Sequence, residues 1–505
     1  MDIKNIKTIG DLRRSGYRVR SVKDELRGNL IAKLQNNEEV FPGIIGYDET
    51  VIPQIENAIL SKHDFILLGL RGQAKTRILR GLVDLLDPFI PIIEGSEIND
   101  DPFNPISQES REKVERYGDD TAIEWLSCSY RYNEKLATPD VSIADLFGDI
   151  DPIKAATKRL HYAHEGAIHF GIIPRTNRGI FVINELPDLQ PRIQVGLLNI
   201  LEEKDLQIRG YPLRIPLDIM IAFSANPEDY TNRGNIITPL KDRIASQIIT
   251  HYPYSIEDGI RITEQEAWYD RHEISDMLIP YYFREIIEYI AKEARENEFI
   301  DQKSGVSARL PISCIELLVG NVEKRAIKFN TEKTSVRVSD LQALIPAITG
   351  KIELVYEGEQ EGVTNVAKVL IGKAVKKVFE KYFQIPKPRD KRGSENKNSD
   401  FDKILQWFSG DKLICVDGMS NDENYIKSLN SMKPLDQYIK KYFPADYIKD
   451  ELNLAVVKEF VLEALHQNAF LSKFESNGKV TYKDLVDTIF NSLPEDEERD
   501  MNYFS

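Results

Sequence analysis

GLRGQAKT, Gly69 to Thr76, follows the apolar run Phe65–Leu68 and precedes a helical pattern that starts at Arg77. A strand that ends in a glycine-bearing loop and feeds a helix is where backbone N–H groups can close around phosphate oxygens. In the pattern G-x-x-x-x-G-K-[ST] the lysine reaches the β and γ oxygens and the hydroxyl holds Mg²⁺. Gly69, Lys75 and Thr76 fit, with Gly72 and Gln73 inside the loop, whereas Ala74 stands where the pattern has glycine. If position 74 requires a positive φ, alanine costs about 1 to 2 kcal/mol there. The competing reading is a glycine-rich turn with an exposed lysine, which requires that nothing else along the chain complete a nucleotide site.

Composition narrows the classes. The chain has 505 residues, 42% of them hydrophobic and 29% charged, enough for several domains with sizeable cores. No apolar run approaches the ~18 residues of a membrane span, and no secretory h-region follows Met1, so a cytoplasmic protein is expected. Cys128, Cys314 and Cys415 are too scattered for a disulfide framework or a zinc ribbon. With 66 Lys and Arg against 81 Asp and Glu the net charge is −15, which disfavours non-specific nucleic-acid binding. The local exception is an N-terminal arm carrying Lys4, Lys7, Arg13, Arg14, Arg18, Arg20 and Lys23, expected to be solvated or to contact another subunit.

Outward from the loop, Ser21 and Asp24 mark a helix start, and Val22, Leu26, Leu30 and Leu34 then recur at helical spacing over 21–36. Residues 94–120, with Glu94, Glu97, Asp100, Asp101, Glu109, Asp119 and Asp120, read as an acidic surface insertion rather than core. Strand patterns return at 179–183 and 218–223, separated by a helical stretch at 192–203 and a turn at 210–212. Beyond about 253 the chain reads as helices, among them 281–297 and 311–328. The polar stretch 387–400 reads as a linker, and 401–505 as a small helical domain. The expected domains are thus an arm and helix (1–40), an α/β domain with insertions at about 90–178 (41–255), a helical lid (256–385), the linker (386–400) and the helical domain (401–505).

Two strand ends supply partners for the loop. Gly179 to Glu185, GIFVINE, is an apolar strand ending in Asn184 and Glu185, and nucleotides bind at the carboxyl ends of parallel strands. Hydrolysis there needs a group for the metal's hydration shell and a carboxylate to orient water. Glu185 can do the second, while Asn184 offers an oxygen but no charge, so metal binding should lean on Thr76 and the phosphates. Ser224 to Pro227, SANP, ends a third strand with the Asn226 carboxamide. Arg243 in PLKDR and Arg309 in SAR are candidates to reach a phosphoryl group. Capped strand ends, an Asn-Pro turn and surface arginines are the plain alternatives. His161, His164 and His169 lack the cysteines or paired carboxylates of a zinc pattern and read as a packed or partner-facing hairpin.

The segments around Ile44 to Tyr47 (IIGY), GLRGQAKT, RGIFVINELPDL, SANPED and ITPLKDR occur in order over about residues 41–350, and in this the chain resembles AAA+ ATPases of the magnesium-chelatase ATPase-subunit and MoxR branch. The resemblance implies an α/β fold: a P-loop parallel sheet with helices on both faces, then an all-helical lid and a C-terminal helical domain. It implies ATP and Mg²⁺ as cofactors, with Gly69, Gly72, Gln73, Ala74, Lys75 and Thr76 as Walker A, Asn184 and Glu185 at Walker B, and Asn226 at sensor 1. Arg243 falls at the arginine finger, Arg309 at sensor 2, Ile45 and Gly46 against the adenine, and Thr76 with Asn184 beside the metal. Residues 149–178 resemble that branch's helix-2 insertion.

The implied activity is a remodelling ATPase in a homo-oligomeric ring, six subunits being expected, that acts on a protein partner with a von Willebrand A domain. A nucleotide-binding scaffold with little hydrolysis and the ATPase subunit of a metal chelatase are the alternatives. A sigma-54-type activator is disfavoured because no GAFTGA-like loop and no basic helix-turn-helix occur.

Overall fold

The computed structural model describes residues 5–151, 153, 165–207, 214–227, 235–269, 271, 276–331, 333–383, 399–409, 412–476 and 478–485. The middle of the expected helix-2 insertion, positions 152 and 154–164 with His161 and His164, falls outside these residues, as do the turn at 210–212 and positions 386–398 of the expected linker. The chain divides into two compact units, Met1–Tyr252 and Pro253–Ser505.

Five strands form the centre of the first unit: β1 (Phe65–Leu68), β2 (Tyr132–Leu136), β3 (Gly179–Asn184), β4 (Ile219–Ala225) and β5 (Ser246–Ile249). They lie in the order β5-β1-β4-β3-β2, and every pairing is parallel. A parallel sheet needs cover on both faces, which is why β1, β3 and β4 are near-continuous apolar runs without polar alternation. Phe65, Leu67, Ile180, Val182, Met220 and Ala222 face one core, shared with α1 (Val22–Gln35), α2 (Val51–Leu60) and α3 (Lys75–Gly81). Ile66, Leu68, Phe181, Ile183, Ile221 and Phe223 face the other, closed by α4 (Pro191–Glu202).

Helix α1 starts as expected, with Ser21 accepting from the Asp24 N–H. Its buried Glu25 receives both terminal nitrogens of Arg131 at 2.7 and 2.8 Å, and Arg131 also donates to the Arg178 carbonyl at 2.7 Å. The basic segment around α1 is less free than expected. Arg13 pairs with Asp119, Arg14 with Asp11, Arg20 with Asp87 and Lys23 with Asp64, so internal carboxylates take up much of its charge.

The acidic stretch at 94–120 is not all surface. Ile98 is buried in the core, and Asp100 is fully buried, accepting from the hydroxyls of Ser96, Ser107 and Ser110 and from the N–H groups of Ile106 and Ser107. Burial works against the charge, but the Ser107 bonds and the other hydroxyls hold the Asp100 carboxyl below the usual carboxylate range. Counting acidic residues therefore misses the stretch's anchor.

The second unit is helical, with α5 (Tyr281–Glu296), α6 (Arg309–Phe329), α7 (Val363–Tyr382) and α8 (Glu451–Gln467). The helices read as lid and as C-terminal domain share a single apolar core. Buried ionic bonds tie them further: Arg325 pairs with Asp340 at 2.5 Å, Arg337 donates to the Gly418 carbonyl at 2.8 Å and to Asp422 at 2.6 Å, and Glu459 accepts from the N–H groups of Val338 and Ser339. A helix begins at Ser399, inside the stretch read as linker. The C-terminal helices also carry a three-stranded antiparallel sheet (Ile414–Asp417, Lys479–Asp484, Leu471–Ser476) that the helical reading of 401–505 did not include. Among the described residues no helix is long and apolar enough to cross a membrane.

Glu288 on α5 is buried, with the Thr263 hydroxyl donating to it at 2.5 Å, and burial pushes its carboxyl up to about 7. A carboxyl raised in the fold favours folding while protonated, so this contribution is complete below its unfolded pKa near 4.5 and is lost as pH rises through about 7. Glu288→Gln should therefore raise stability at pH 8 by roughly 2 to 3 kcal/mol and change it little at pH 5. Thermal unfolding of both proteins at the two pH values checks this, and an equal difference at both would contradict it.

Candidate nucleotide site

The register of the parallel strands sets three tips level. Leu68 lies opposite Ala225, Phe223 opposite Ile183, and Leu136 opposite Asn184. The strand carrying Asn184 and Glu185 is not the immediate neighbour of the loop strand, since β4 runs between β1 and β3. Asn226 thus ends the strand next to the loop, and Glu185 ends the one beyond.

The loop itself is shaped by close backbone approach. A Cβ at Gly69 would stand 1.8 Å from Thr250 Oγ1 and 2.1 Å from Gln73 Oε1, so only glycine fits. Gly72 adopts φ +73, and Ala74 stands in the left-handed region at φ 55, ψ 11 immediately before α3. Lys75 is buried, and its ammonium donates to the carbonyls of Gly69 and Leu70 at the mouth of the loop. Thr76 is half-buried one residue further along α3.

Four residues that the sequence did not single out brace this loop. Thr250 Oγ1 donates to Gln73 Oε1 at 2.7 Å, Tyr47 to the Gln73 carbonyl at 3.1 Å and the His251 carbonyl at 2.7 Å, and Tyr252 to the Arg71 carbonyl at 2.9 Å. The His251 ring lies edge-on to Tyr47 with centroids 4.9 Å apart and contacts the Thr50 hydroxyl at 2.8 Å. Thr250, His251 and Tyr252 follow β5, a strand too short and too mixed for periodicity to reveal, and Tyr47 precedes α2. Ile45 and Gly46, both half-buried, immediately precede Tyr47 and are tied to the loop through it.

At the other tips, Glu185 holds φ 54, ψ 50, a left-handed conformation that costs an acidic residue on the order of 1 to 3 kcal/mol. Asn184 is buried, and its Oδ1 accepts from Ser224 Oγ at 2.9 Å, while Ser224 Oγ accepts from the Glu185 N–H at 3.4 Å. Asn226 is buried at the end of β4. Glu134 on β2 stands diagonally across from Asn184 on the adjacent strand, and the Arg80 guanidinium beside it holds its carboxyl below the usual range.

The remaining sequence candidates lie on other elements. Arg243 ends the helix Thr238–Arg243 and donates to Glu202 at 2.6 Å. Arg309 is exposed at the first turn of α6, in the second unit. His169 is exposed on the strand Ile168–Phe170, and among the described residues no group of three His, Cys, Asp or Glu side chains could hold a metal ion.

A five-stranded parallel sheet with the glycine-bearing loop after its first strand, an Asn-Glu pair ending β3 and a carboxamide ending β4 is the fold of the AAA+ class. No family model matches the chain. It is similar to the magnesium-chelatase subunit ChlI of Nicotiana tabacum, 27% identical over 348 residues that span 64% of this chain and 76% of that one. A ChlI from Nephroselmis olivacea is 26% identical, covering 60% and 86% of the two chains. A solved assembly of the magnesium-chelatase subunits BchI and BchD contains a chain 19% identical over 68% of this one and 97% of its own, with a TM-score of 0.30. Within its class the chain is a relative of the magnesium-chelatase ChlI subunits.

The left-handed backbone at position 74 makes a measurable demand. Ala74→Gly should stabilise the fold by about 1 kcal/mol, the strain relieved exceeding the entropy glycine adds to the unfolded chain. Denaturant titration of the two proteins would show it, and an unchanged or lower midpoint would contradict the strained geometry.

Proposed function

We propose that the chain binds Mg·ATP in the GLRGQAKT loop and hydrolyses it as a ring-forming remodelling motor. The observation that carries this reading is the shared edge: the loop after β1 and the tips of β3 and β4 stand level in the register, so Lys75, Glu185 and Asn226 converge on one rim of the sheet. The loop amides and Lys75 grip the phosphates, with the lysine leaving the Gly69 and Leu70 carbonyls to do so. The donor set near the loop, one threonine hydroxyl with a neutral carboxamide and a carboxylate behind it, suits a hard cation held chiefly through the phosphates. Mg²⁺ held there would neutralise charge on the phosphates.

Glu185, set by its left-handed backbone, orients the attacking water, and Asn226 steadies the γ-phosphate. Ile45 and Gly46 lie against the base. Arg243 serves a neighbouring subunit's nucleotide once it leaves Glu202, and Arg309 keeps the sensor-2 role that the resemblance implies. A hexameric ring acting on a von Willebrand A domain protein in the cytoplasm fits this machinery. Service as the ATPase subunit of a metal chelatase is favoured instead by the ChlI relatives, which are named as subunits of that enzyme.

A scaffold that binds ATP and scarcely turns it over is the second reading, favoured by the uncharged Asn184 and the strained Ala74. Phosphate release separates the two. A motor loses at least 100-fold in turnover on Glu185→Gln with ATP affinity kept, as expected for loss of a positioned base, and it loses binding itself on Lys75→Ala. A scaffold shows no turnover for Glu185→Gln to remove, and ATP affinity unaffected by Lys75→Ala would refute both readings.

A further inference from the structure

The charge absent at position 184 has a counterpart one strand away. In the parallel register Glu134 lies opposite Val182 and Leu136 opposite Asn184, so Glu134 and Asn184 project from the same face of the sheet. Val182 packs there against the core that includes Ile78 and Leu79 of α3, so this is the face beneath the phosphate-loop helix. The Glu134 carboxylate accepts from the Tyr132 hydroxyl at 2.9 Å and from Arg80 of α3 at 3.1 Å, and the Asn184 carboxamide stands diagonally across from it on the adjacent strand. On its other side the Asn184 oxygen accepts from Ser224, and Ser224 accepts from the N–H of Glu185.

With its oxygen accepting from the Ser224 hydroxyl on one neighbouring strand, the Asn184 amide keeps its NH₂ for the side on which Glu134 stands. An aspartate at 184 would lose the donor and set two carboxylates against each other in a half-buried site, the arrangement that forces one of them to give up its charge or its place.

We propose that Glu134 and Asn184 are an exchanged pair, in which Glu134 carries the carboxylate of this sheet edge and Asn184 is a neutral coupler. Through the chain Arg80, Glu134, Asn184 and Ser224, the phosphate-loop helix is tied to the backbone of Glu185. Both Glu134 and Asn184 are positioning residues for Glu185. Asn184 is then not a weakened metal group that a single change to aspartate would repair. The kinetic part of this inference rests on the ATP-hydrolysing reading above, while the pairing itself does not.

The full chain, Asn184→Asp, Glu134→Gln and the double variant would be compared in thermal unfolding and in Mg·ATP turnover. Asn184→Asp alone should lower both the unfolding temperature and the turnover, the latter on the order of tenfold, and adding Glu134→Gln should recover most of each loss because the glutamine amide donates to the new carboxylate. Asn184→Asp with turnover at or above that of the wild type and an unchanged unfolding temperature would overturn the inference, as would a double variant that merely sums the two single effects. If the wild type releases no phosphate, the ATP-hydrolysing reading fails by itself. The unfolding cycle still decides the pair, non-additive recovery supporting it and additivity refuting it.

Discussion

The parallel pairing of β1 with β4 is the constraint on which the site depends. Four register pairs, from Phe65 with Ala222 to Leu68 with Ala225, fix where β1 stops, and the Gly69 N–H then bonds the Ala225 carbonyl at 3.1 Å. A slip of one residue would turn Leu67 and Ala222 out of one core and into the other, because side chains alternate with period two. With both faces of the sheet filled by separate apolar clusters, that slip is heavily disfavoured. The phosphate loop inherits its position from this packing.

Two strained residues stand where the chain leaves the sheet. Ala74 and Glu185 both hold positive φ, and neither is glycine. The surroundings hold them there: Gln73 is pinned by Tyr47 and Thr250 on one side of the loop, and Ser224 receives the Glu185 N–H on the other. Strain of this kind persists only where neighbouring contacts over-determine the backbone. Both residues stand at the rim where phosphate chemistry is proposed, and the strands behind them are buried.

What could be read from residues alone follows from how local each signal is. GLRGQAKT and the run ending in Asn184-Glu185 announced themselves because strand, loop and helix follow one another within about fifteen residues. The insertion of β4 between β1 and β3 was not legible, since strand order is set by crossovers and leaves no trace in any single segment. Strand β5, SQII, is too short for a periodic signal, and with it Thr250, His251 and Tyr252 went unread. Glu134 was invisible for a related reason: its significance lies in a carboxamide fifty residues later and an arginine on a different helix. Asp100 misled because its charge suggested solvent, whereas three serines and two backbone amides replace water around it. Sharing one core between the lid-like and C-terminal helices depends on long-range packing that helical periodicity reports only as an apolar face.

The central claim is that one rim, built from three separate strand ends, receives a triphosphate. Amide hydrogen exchange of the full chain with and without Mg·ATP tests it most directly, since amides that close around phosphate or are ordered by it slow their exchange. Concerted protection of peptides covering 69–76, 183–187 and 223–227 is the predicted result. Protection confined to one of these segments, or none in any of them at saturating nucleotide, would contradict the account.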